Sequence, residues 1–316
     1  MNILITGIHG FVGSNLVKAL GAKHAVYGLD IVAPSKAGVV KTFNWKDLEE
    51  NRLPVMDVVI HLAGKAHDTK NQSLAQAYFD INEGLTKKVF NYFLKSKAGK
   101  FIFFSSVKAA ADSVPGDILT EEVVPAPVGP YGESKIAAED YIQDNFDLEG
   151  TDDKLVYILR PCMIHGPGNK GNLNLLYKVV SKGIPWPLGA FDNRRSFTSV
   201  DNLCFVIDGL VAGMVPSGIY HMGDDEPIST NELIGVMCES LGRKAHIWNL
   251  PRELMQGVAS LGGVLHLPLN RNRLNKLTEN YVVSNAKIKG ALGIDRMPVS
   301  AREGLLITLN SFKEKV

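Results

Sequence analysis

The sequence is poor in cysteine, which limits the ways in which the fold can be stabilised. Only Cys162, Cys204 and Cys238 occur among 316 residues, and they are widely separated. A disulfide framework or a metal cluster needs more thiols at closer spacing, so we interpret these three as reduced core thiols. The eight histidines show no paired spacing typical of metal ligands, and we expect no metal site.

Long apolar runs and an excess of one charge are also missing. The longest apolar stretch, Gly257 to Leu269, has 13 residues and contains His266, so it is too short to span a bilayer. Lys and Arg number 34 against 33 Asp and Glu, which indicates no general attraction to nucleic acid or acidic lipid. Residues 1–6 already have a strand pattern and leave no room for a targeting segment. We therefore expect a cytoplasmic, soluble protein that binds neither nucleic acid nor a membrane.

Short apolar runs alternate with longer segments of helical periodicity. The runs are rich in β-branched and aromatic residues and apolar along their length, as in parallel sheets buried on both faces. They predict strands over residues 2–7, 25–30, 39–43, 57–64, 100–106 and 154–161, with helices over 11–20, 74–96 and 131–145 between them. This alternation predicts an α/β fold with a Rossmann-type, doubly wound parallel sheet.

Three glycines follow the first strand and open the first helix. Gly7, Gly10 and Gly13 permit a tight turn, close approach of the backbone to a pyrophosphate, and close packing of helix on strand. Asp30 ends the second strand, where a carboxylate can accept two ribose hydroxyls and would repel a 2′-phosphate. The motif therefore predicts a dinucleotide site that favours NAD over NADP, although its G-x-x-G-x-x-G spacing differs from that of ordinary dehydrogenases.

The amino-acid composition of the chain changes near residue 166. Gly, Pro and Asn are frequent there, and no clean helical or strand periodicity is visible. Predicted elements then return as a strand and helix over 196–213, a strand over 218–223 and a helix over 229–242. We predict two domains. The NAD-binding domain comprises residues 1–165 with returning segments near 194–222, and a smaller, partly interleaved C-terminal substrate domain comprises residues 166–193 and 223–316.

A serine, a tyrosine and a lysine form the candidate catalytic group. Tyr131 and Lys135 lie four residues apart in a helix that begins after Pro130, so they share one face. A nearby ammonium and the positive nicotinamide of NAD+ each lower a phenol pKa by about 1 to 3, which makes Tyr131 a candidate general base for an alcohol or sugar hydroxyl. Ser106 ends a central strand, where open α/β sheets bind ligands, and can hydrogen-bond the same oxygen.

On these motifs the chain resembles the extended short-chain dehydrogenase/reductases of the nucleotide-sugar epimerase/dehydratase family along essentially its whole length. The segments that carry the resemblance are TGIHGFVGSNL, YGLD, VVIHLAG, DINEGLT, FIFFSS, PYGESKIAAE, LRPCMIHGPG and RRSFTSVDNL. The resemblance implies an enzyme similar to UDP-glucose 4-epimerase that uses NAD. It also implies that Ser106, Tyr131 and Lys135 are catalytic.

The same resemblance implies which residues hold the cofactor and the substrate. Besides Tyr131 and Lys135, the expected NAD-binding residues are Gly7, Gly10, Phe11, Val12, Gly13, Asp30, Ile31, Leu62, Ala63, Gly64, Asn82 and Pro161. The expected substrate-binding residues are Ser106, Lys108, Tyr131, Asn172 and Arg195, the last two at positions that hold a nucleotide-sugar diphosphate. An arginine suits this task because its planar fork binds phosphate oxygens bidentately. A homodimer through the helices near residues 74–97 and 131–147 is implied as well.

The residues after Ser106 narrow the expected reaction. Dehydratases that resemble this chain carry acids there, whereas this chain has Val107 and Lys108, and a lysine does not easily replace a carboxylic acid in the elimination of water. Enzymes that epimerise C3 and C5 place a cysteine where Lys108 stands. The leading hypothesis is an NAD-dependent 4-epimerase of a UDP-hexose or UDP-N-acetylhexosamine, acting through a 4-keto intermediate. Two alternatives stay open: an NAD(P)H-dependent 4-keto reductase of a UDP-linked deoxy-keto sugar in surface-polysaccharide synthesis, and a non-catalytic dinucleotide sensor.

Overall fold

The structure, a computed structural model, describes residues 1–66, 74–150, 153–169, 171–264 and 270–313. Its strands are β1 (Asn2–Thr6), β2 (Ala25–Leu29), β3 (Lys41–Phe43), β4 (Val58–His61), β5 (Lys100–Phe104), β6 (Leu155–Pro161), β7 (Met163–His165), β8 (Phe197–Ser199) and β9 (Gly218–Met222). Its helices are α1 (Phe11–Leu20), α2 (Trp45–Glu49), α3 (Ala75–Lys95), α4 (Val107–Ala110), α5 (Pro130–Asn145), α6 (Asn172–Ser181), α7 (Val200–Ala212), α8 (Thr230–Ser240), α9 (Arg252–Val264), α10 (Arg271–Thr278), α11 (Ala286–Leu292) and α12 (Ala301–Lys313). The end of the apolar stretch over residues 257–269 lies outside the described residues.

The main sheet is parallel and has the order β3-β2-β1-β4-β5-β6-β9. From β1 the chain winds outward to β2 and β3, and then crosses to β4 on the other side of β1. Ligands of such sheets bind where the winding reverses, outside the carboxyl ends of the strands, which here is the crevice between β1 and β4. The predicted Rossmann-type fold is confirmed.

Each face of the sheet is covered by its own apolar layer. On one face, strand residues such as Ile5 and Ile60 pack against Leu16 of α1 and Leu203 of α7. On the other face, Leu4, Phe101 and Ile158 pack with residues of α3 and α5. Because both faces are dry, the central strands are apolar along their whole length, which is why their sequence pattern lacks alternation.

A separate apolar cluster is built largely from the C-terminal helices α6, α8, α9, α10 and α12. Helix α6 was not predicted, although Leu173, Tyr177 and Val180 are buried at helical spacing. Its apolar positions are hidden in the sequence by the Gly- and Asn-rich segment that precedes them. Helices α9 to α12 were also missed, and the division of the chain into two domains stays a prediction.

Candidate active site

The turn after β1 has the geometry of an anion cradle. Gly7 has a φ of +68°, which favours glycine, and its backbone N–H donates to the Leu29 carbonyl at 2.8 Å. A Cβ at Gly13 would lie 2.6 Å from the Gly7 oxygen, so only glycine fits there. Helix α1 begins at Phe11, and its N-cap, Gly10, provides no side-chain acceptor. The N–H groups of the first turn, including those of Phe11 and Val12, are therefore oriented to bind an anion such as a pyrophosphate.

Asp30 follows β2 at the rim of this cradle, and its carboxylate orientation is fixed. One oxygen accepts the His9 N–H at 3.0 Å and the other accepts the Ile31 N–H at 2.8 Å. Lys36, which the sequence reasoning missed, donates to the Ile8 carbonyl at 3.0 Å and to Ser14 Oγ at 2.7 Å. Burial lowers the pKa of Lys36, and the charge of Asp30 opposes that shift. The side chain of Ile31 is 83% exposed.

The segment after β4 forms the other wall of the crevice. The N–H groups of Leu62 and Ala63 donate to Thr6 Oγ1 at 3.1 and 3.0 Å, which ties this segment to the end of β1. A Cβ at Gly64 would lie 2.9 Å from Asn82 Oδ1 and 3.2 Å from Lys135 Nζ, so glycine leaves room for these polar groups. The structure thus brings Gly64 beside the candidate lysine, and Leu62 and Ala63 beside the end of β1.

Asn82 is buried in α3 and links three parts of this wall. Its Oδ1 accepts the Lys65 N–H at 2.7 Å, and its Nδ2 donates to the Lys65 carbonyl at 3.1 Å and to Ser134 Oγ at 2.9 Å. A buried amide with all these partners fixes the loop after β4 against α5. Asn82 therefore lies beside Gly64 and Lys135, and its role in binding the cofactor stays a prediction.

Ser106 and Tyr131 lie near each other at the carboxyl end of β5. Ser106 caps helix α4, with Oγ accepting the Lys108 N–H at 3.2 Å, and its hydroxyl acts to lower the pKa of Tyr131. Tyr131 lies in the first turn of α5, where Pro130 at the first helical position fixes the start of the helix. The two hydroxyls that the sequence predicts to act on one substrate oxygen are therefore neighbours.

Lys135 is one turn further along α5 and is buried. Its Nζ donates to the Phe104 carbonyl at 2.8 Å and lies 5.1 Å from the Phe103 ring centre. Burial lowers the pKa of Lys135 to about 8, while the charge of Glu139 opposes the shift. Burial raises the pKa of Tyr131, and the Ser106 hydroxyl acts in the opposite direction. The sequence analysis expects a lowered pKa for Tyr131, whereas the pKa in the protein without cofactor is raised. The reason is that the largest influence on the phenol is the loss of water on burial, not the ammonium of Lys135.

A buried ion pair supports α5, the helix that carries the candidate residues Tyr131 and Lys135, and was missed by the sequence reasoning. Glu139, one turn after Lys135, accepts from Arg160 Nε at 3.0 Å and from Arg160 Nη2, and also accepts the Ser105 hydroxyl. Both charged side chains are almost completely buried. The signal was present, since Arg160 is a lone charge inside the apolar run that forms β6. Pro161, an expected cofactor residue, is buried next to it at the end of β6.

The expected substrate residues are only partly brought together. Lys108 donates to the Asp112 carboxylate at 3.0 Å and lies 4.6 Å from the ring centre of Tyr281. Tyr281 forms a bridge with Arg195, so these positions are neighbours. Among the described residues, no hydrogen bond or ion pair joins Asn172 to this group, and Asn172 is exposed at the start of α6.

Arg195 is held by the C-terminal part of the chain. Its Nη1 donates to the Lys276 carbonyl, and its Nη2 lies 3.5 Å from the Glu279 carboxylate. Tyr281, which sequence reasoning did not single out, donates its hydroxyl to the Ala111 carbonyl at 2.7 Å. The segment after Ser106 therefore contacts a residue far along the chain, which only the folded structure reveals.

No helix among the described residues is both long enough and apolar enough to cross a bilayer. No group of three or more His, Cys, Asp or Glu side chains in the same residues has the arrangement of a metal site.

Comparisons with known proteins agree with this geometry. Residues 3–223 match the NAD dependent epimerase/dehydratase family. The chain is 30% identical over 267 residues to a UDP-glucose 4-epimerase of Vibrio cholerae, covering 79% of this chain and 78% of that protein. It is 27% identical over 297 residues to N-acetyl-alpha-D-glucosaminyl-diphospho-ditrans,octacis-undecaprenol 4-epimerase of Escherichia coli O157:H7, covering 91% and 84%. A Bacillus cereus UDP-glucuronic acid 4-epimerase solved with NAD has the same fold, with a TM-score of 0.74, 21% identity and coverage of 100% and 99%.

Proposed function

The chain belongs to the NAD dependent epimerase/dehydratase family, and we propose that it is a 4-epimerase of a UDP-hexose or UDP-N-acetylhexosamine that acts through a transient 4-keto sugar. The observation that carries this proposal is that Ser106 at the end of β5, Tyr131 in the first turn of α5 and the buried Lys135 one turn later lie together. With bound NAD, these residues suffice for oxidation and reduction at one carbon. Lys108, where related dehydratases carry an acid, is paired with Asp112 instead.

The residues of the crevice fit NAD. The glycine turn leaves backbone donors for the pyrophosphate, and Asp30 offers a fixed carboxylate to the adenosine ribose. Gly64 leaves space beside Asn82 and Lys135 for the nicotinamide end. When bound, NAD supplies the acceptor and donor of hydride.

Tyr131 accepts the proton of the C4 hydroxyl during oxidation and returns it to the oxygen during reduction. Ser106 donates to the same oxygen and orients it, a role that its position near Tyr131 supports. Lys135 keeps positive charge near the site below a pH of about 8 and thereby favours the deprotonated phenol. We assign Arg195 to the diphosphate. We assign Asn172 to it as well, because Asn172 lies at the start of α6.

The carrier to which the sugar is joined through the diphosphate can differ, and this defines a second substrate class. The E. coli relative is named for a sugar joined through a diphosphate to undecaprenol rather than to uridine. An arginine that recognises the diphosphate serves either substrate, because the phosphate oxygens are common to both. A test therefore includes a polyprenyl-diphosphate N-acetylhexosamine beside the UDP-sugars.

Incubation of the purified protein with UDP-glucose, UDP-galactose and their N-acetylated forms, without added cofactor, tests the proposal. We expect interconversion of C4 epimers, followed by NMR or chromatography, and its loss in Tyr131→Phe. Net consumption of NADH or NADPH with a 4-keto sugar and no epimerisation would identify a 4-keto reductase and overturn the proposal. NAD binding without turnover, equal in wild type and Tyr131→Phe, would identify a dinucleotide sensor.

We further propose a cytoplasmic homodimer that serves surface-polysaccharide synthesis. Helices α3 and α5 lie side by side, with the Tyr141 hydroxyl donating to Asn91 Oδ1 at 2.9 Å and Lys87 Nζ 5.2 Å from the Tyr141 ring centre. A pair of long adjacent helices is suited to forming a four-helix bundle with a second copy. Light scattering with size-exclusion chromatography is expected to give twice the mass of one chain, and a single-chain mass would contradict this.

A further inference from the structure

Helix α9 carries an apolar stripe that no described part of the chain covers. Met255 and Ala259 face inward and are buried in the C-terminal apolar cluster. Leu254, Val258 and Leu261 recur at helical spacing beside them, and they are 52%, 41% and 64% exposed. The apolar side of α9 is thus wider than the face that the fold buries. Such a stripe on an otherwise polar surface indicates an interaction site.

The segment of the chain that contains this stripe is strongly positive. Between residues 243 and 276 the chain has six lysines and arginines and one acid, Glu253, although the whole chain has a net charge of only +1. The six cationic residues are exposed. Arg252 opens α9, and Arg271 of α10 donates to Ser260 Oγ at 2.8 Å, so positive charge lies directly on the helix. The balanced total charge therefore conceals a local excess.

We propose that α9 and the preceding Trp248 form a docking surface for an anionic lipid bilayer. Trp248 is 54% exposed, and tryptophan favours the boundary between lipid and water. A helix with exposed apolar side chains, cations beside them and too little length to span binds parallel to the membrane, with its leucines in the acyl boundary. Anionic headgroups then neutralise the arginines and lysines.

The charge pattern favours a bilayer over a second copy of this chain. In a two-fold dimer through α9, the same positive patch would face itself, and like charges would have to be brought together and desolvated. An anionic surface satisfies both the apolar stripe and the cations. The total charge of the chain predicted no attraction to acidic lipid. That prediction is not kept here, because the total charge averages over the whole chain and hides this local excess of positive charge.

Helix α10 links this surface to the expected diphosphate site. It packs on α9, and its Lys276 carbonyl accepts from Arg195. One helix would thus connect a substrate diphosphate at Arg195 to the docking surface. This last step rests on the proposed function, whereas the docking surface itself does not.

Co-sedimentation with phosphatidylcholine vesicles, with and without phosphatidylglycerol, tests the docking surface on the full-length protein. We expect the wild type to sediment with the anionic vesicles, less with the neutral ones, and less at high salt. The double variant Leu254→Gln/Leu261→Gln should reduce the partition coefficient by about tenfold or more, because two apolar anchors are lost. Met214→Gln, at an 84% exposed apolar side chain between α7 and β9, is the matched control and should bind as the wild type does.

Folding and catalysis are measured separately. Thermal unfolding and NAD binding of the double variant should match the wild type, since both substituted side chains are exposed. Turnover of a water-soluble UDP-sugar is recorded as well, so that failure of the proposed function is seen independently of lipid binding. Wild type that stays in the supernatant with anionic vesicles, or equal sedimentation of the double variant, would overturn the proposal. The proposal would also be overturned if the wild type bound no lipid but formed a dimer that the double variant could not form. A second copy of the chain would then cover this face.

Discussion

Replacement of Glu139 by glutamine is the most informative single change in α5. The Glu139 carboxylate accepts from Arg160 and from the Ser105 hydroxyl, and it lies one turn from Lys135. These contacts join α5, which carries the candidate residues Tyr131 and Lys135, to β6 and to the segment directly after β5. Glu139→Gln keeps the size and shape of the side chain but removes the charge that neutralises Arg160.

The expected loss of stability follows from burial. Arg160 is 2% exposed and Glu139 is 0% exposed, so water cannot solvate the guanidinium once its partner is neutral. Removal of one partner from a buried ion pair costs about 3 to 5 kcal/mol in unfolding free energy. The pair Arg302–Glu239 provides a matched control, because its side chains are 55% and 50% exposed. Glu239→Gln should cost no more than about 1 kcal/mol, since solvent screens exposed pairs.

The same substitution should move the pH dependence of turnover. The charge of Glu139 raises the pKa of Lys135 against the effect of burial, which holds it at about 8. Without that charge Lys135 loses its proton at a lower pH, so the alkaline limb of kcat/KM should shift downward. Glu239→Gln should leave this limb in place, since Glu239 and its partner Arg302 are on the exposed surface.

Urea unfolding followed by circular dichroism gives the free energy of unfolding. Initial rates from pH 6 to 10 give the pH dependence of kcat/KM. A loss in Glu139→Gln as small as that in Glu239→Gln would refute the burial argument. A double variant, Glu139→Gln/Arg160→Met, should recover part of the loss because the unpaired charge is gone. No recovery would show that the ion pair is not the source of the effect.

Three further changes test the site. Tyr131→Phe should lower kcat by about a hundredfold or more, through loss of the proton acceptor, and leave NAD affinity measured by calorimetry within about twofold. Asp30→Ala should weaken NAD binding by about tenfold or more, because hydrogen bonds from the ribose to a charged carboxylate are lost. Acidification from pH 7 to 5 should remove about 2 kcal/mol of unfolding free energy through His61, whose pKa burial lowers to about 3, because the unfolded chain binds the proton first. His61→Gln should flatten that part of the pH dependence in urea unfolding, and an unchanged slope would contradict the assignment.

Local sequence patterns predicted most of the fold and the centre of the candidate site. Strands buried on both faces have an apolar run that is visible without a structure, and Gly7 and Gly13 are required by local backbone geometry. Tyr131 and Lys135 share a helix face by spacing alone. These features depend on neighbours within a few residues, which is the range over which a sequence pattern carries information.

The features that were missed depend on contacts between distant parts of the chain. Arg160 and Glu139 are 21 residues apart, and their pairing requires β6 and α5 to be adjacent. Lys36 reaches the glycine turn from a loop that has no motif. The local excess of positive charge near α9 disappears in the composition of the whole chain because the remaining residues compensate for it.

The folded structure also sharpens the argument about reaction type that began with Val107 and Lys108. A dehydratase needs a protonatable carboxyl group close to the serine, and Glu139 is the carboxylate that contacts Ser105. Its oxygens are occupied by Arg160 and the Ser105 hydroxyl, and it is fully buried, so a substrate cannot reach it. Lys108 in turn is held by Asp112 and Tyr281. Glu139 and Lys108 are therefore engaged in contacts that stabilise the fold, which supports the proposal that Tyr131 transfers the proton in redox chemistry at a single sugar carbon.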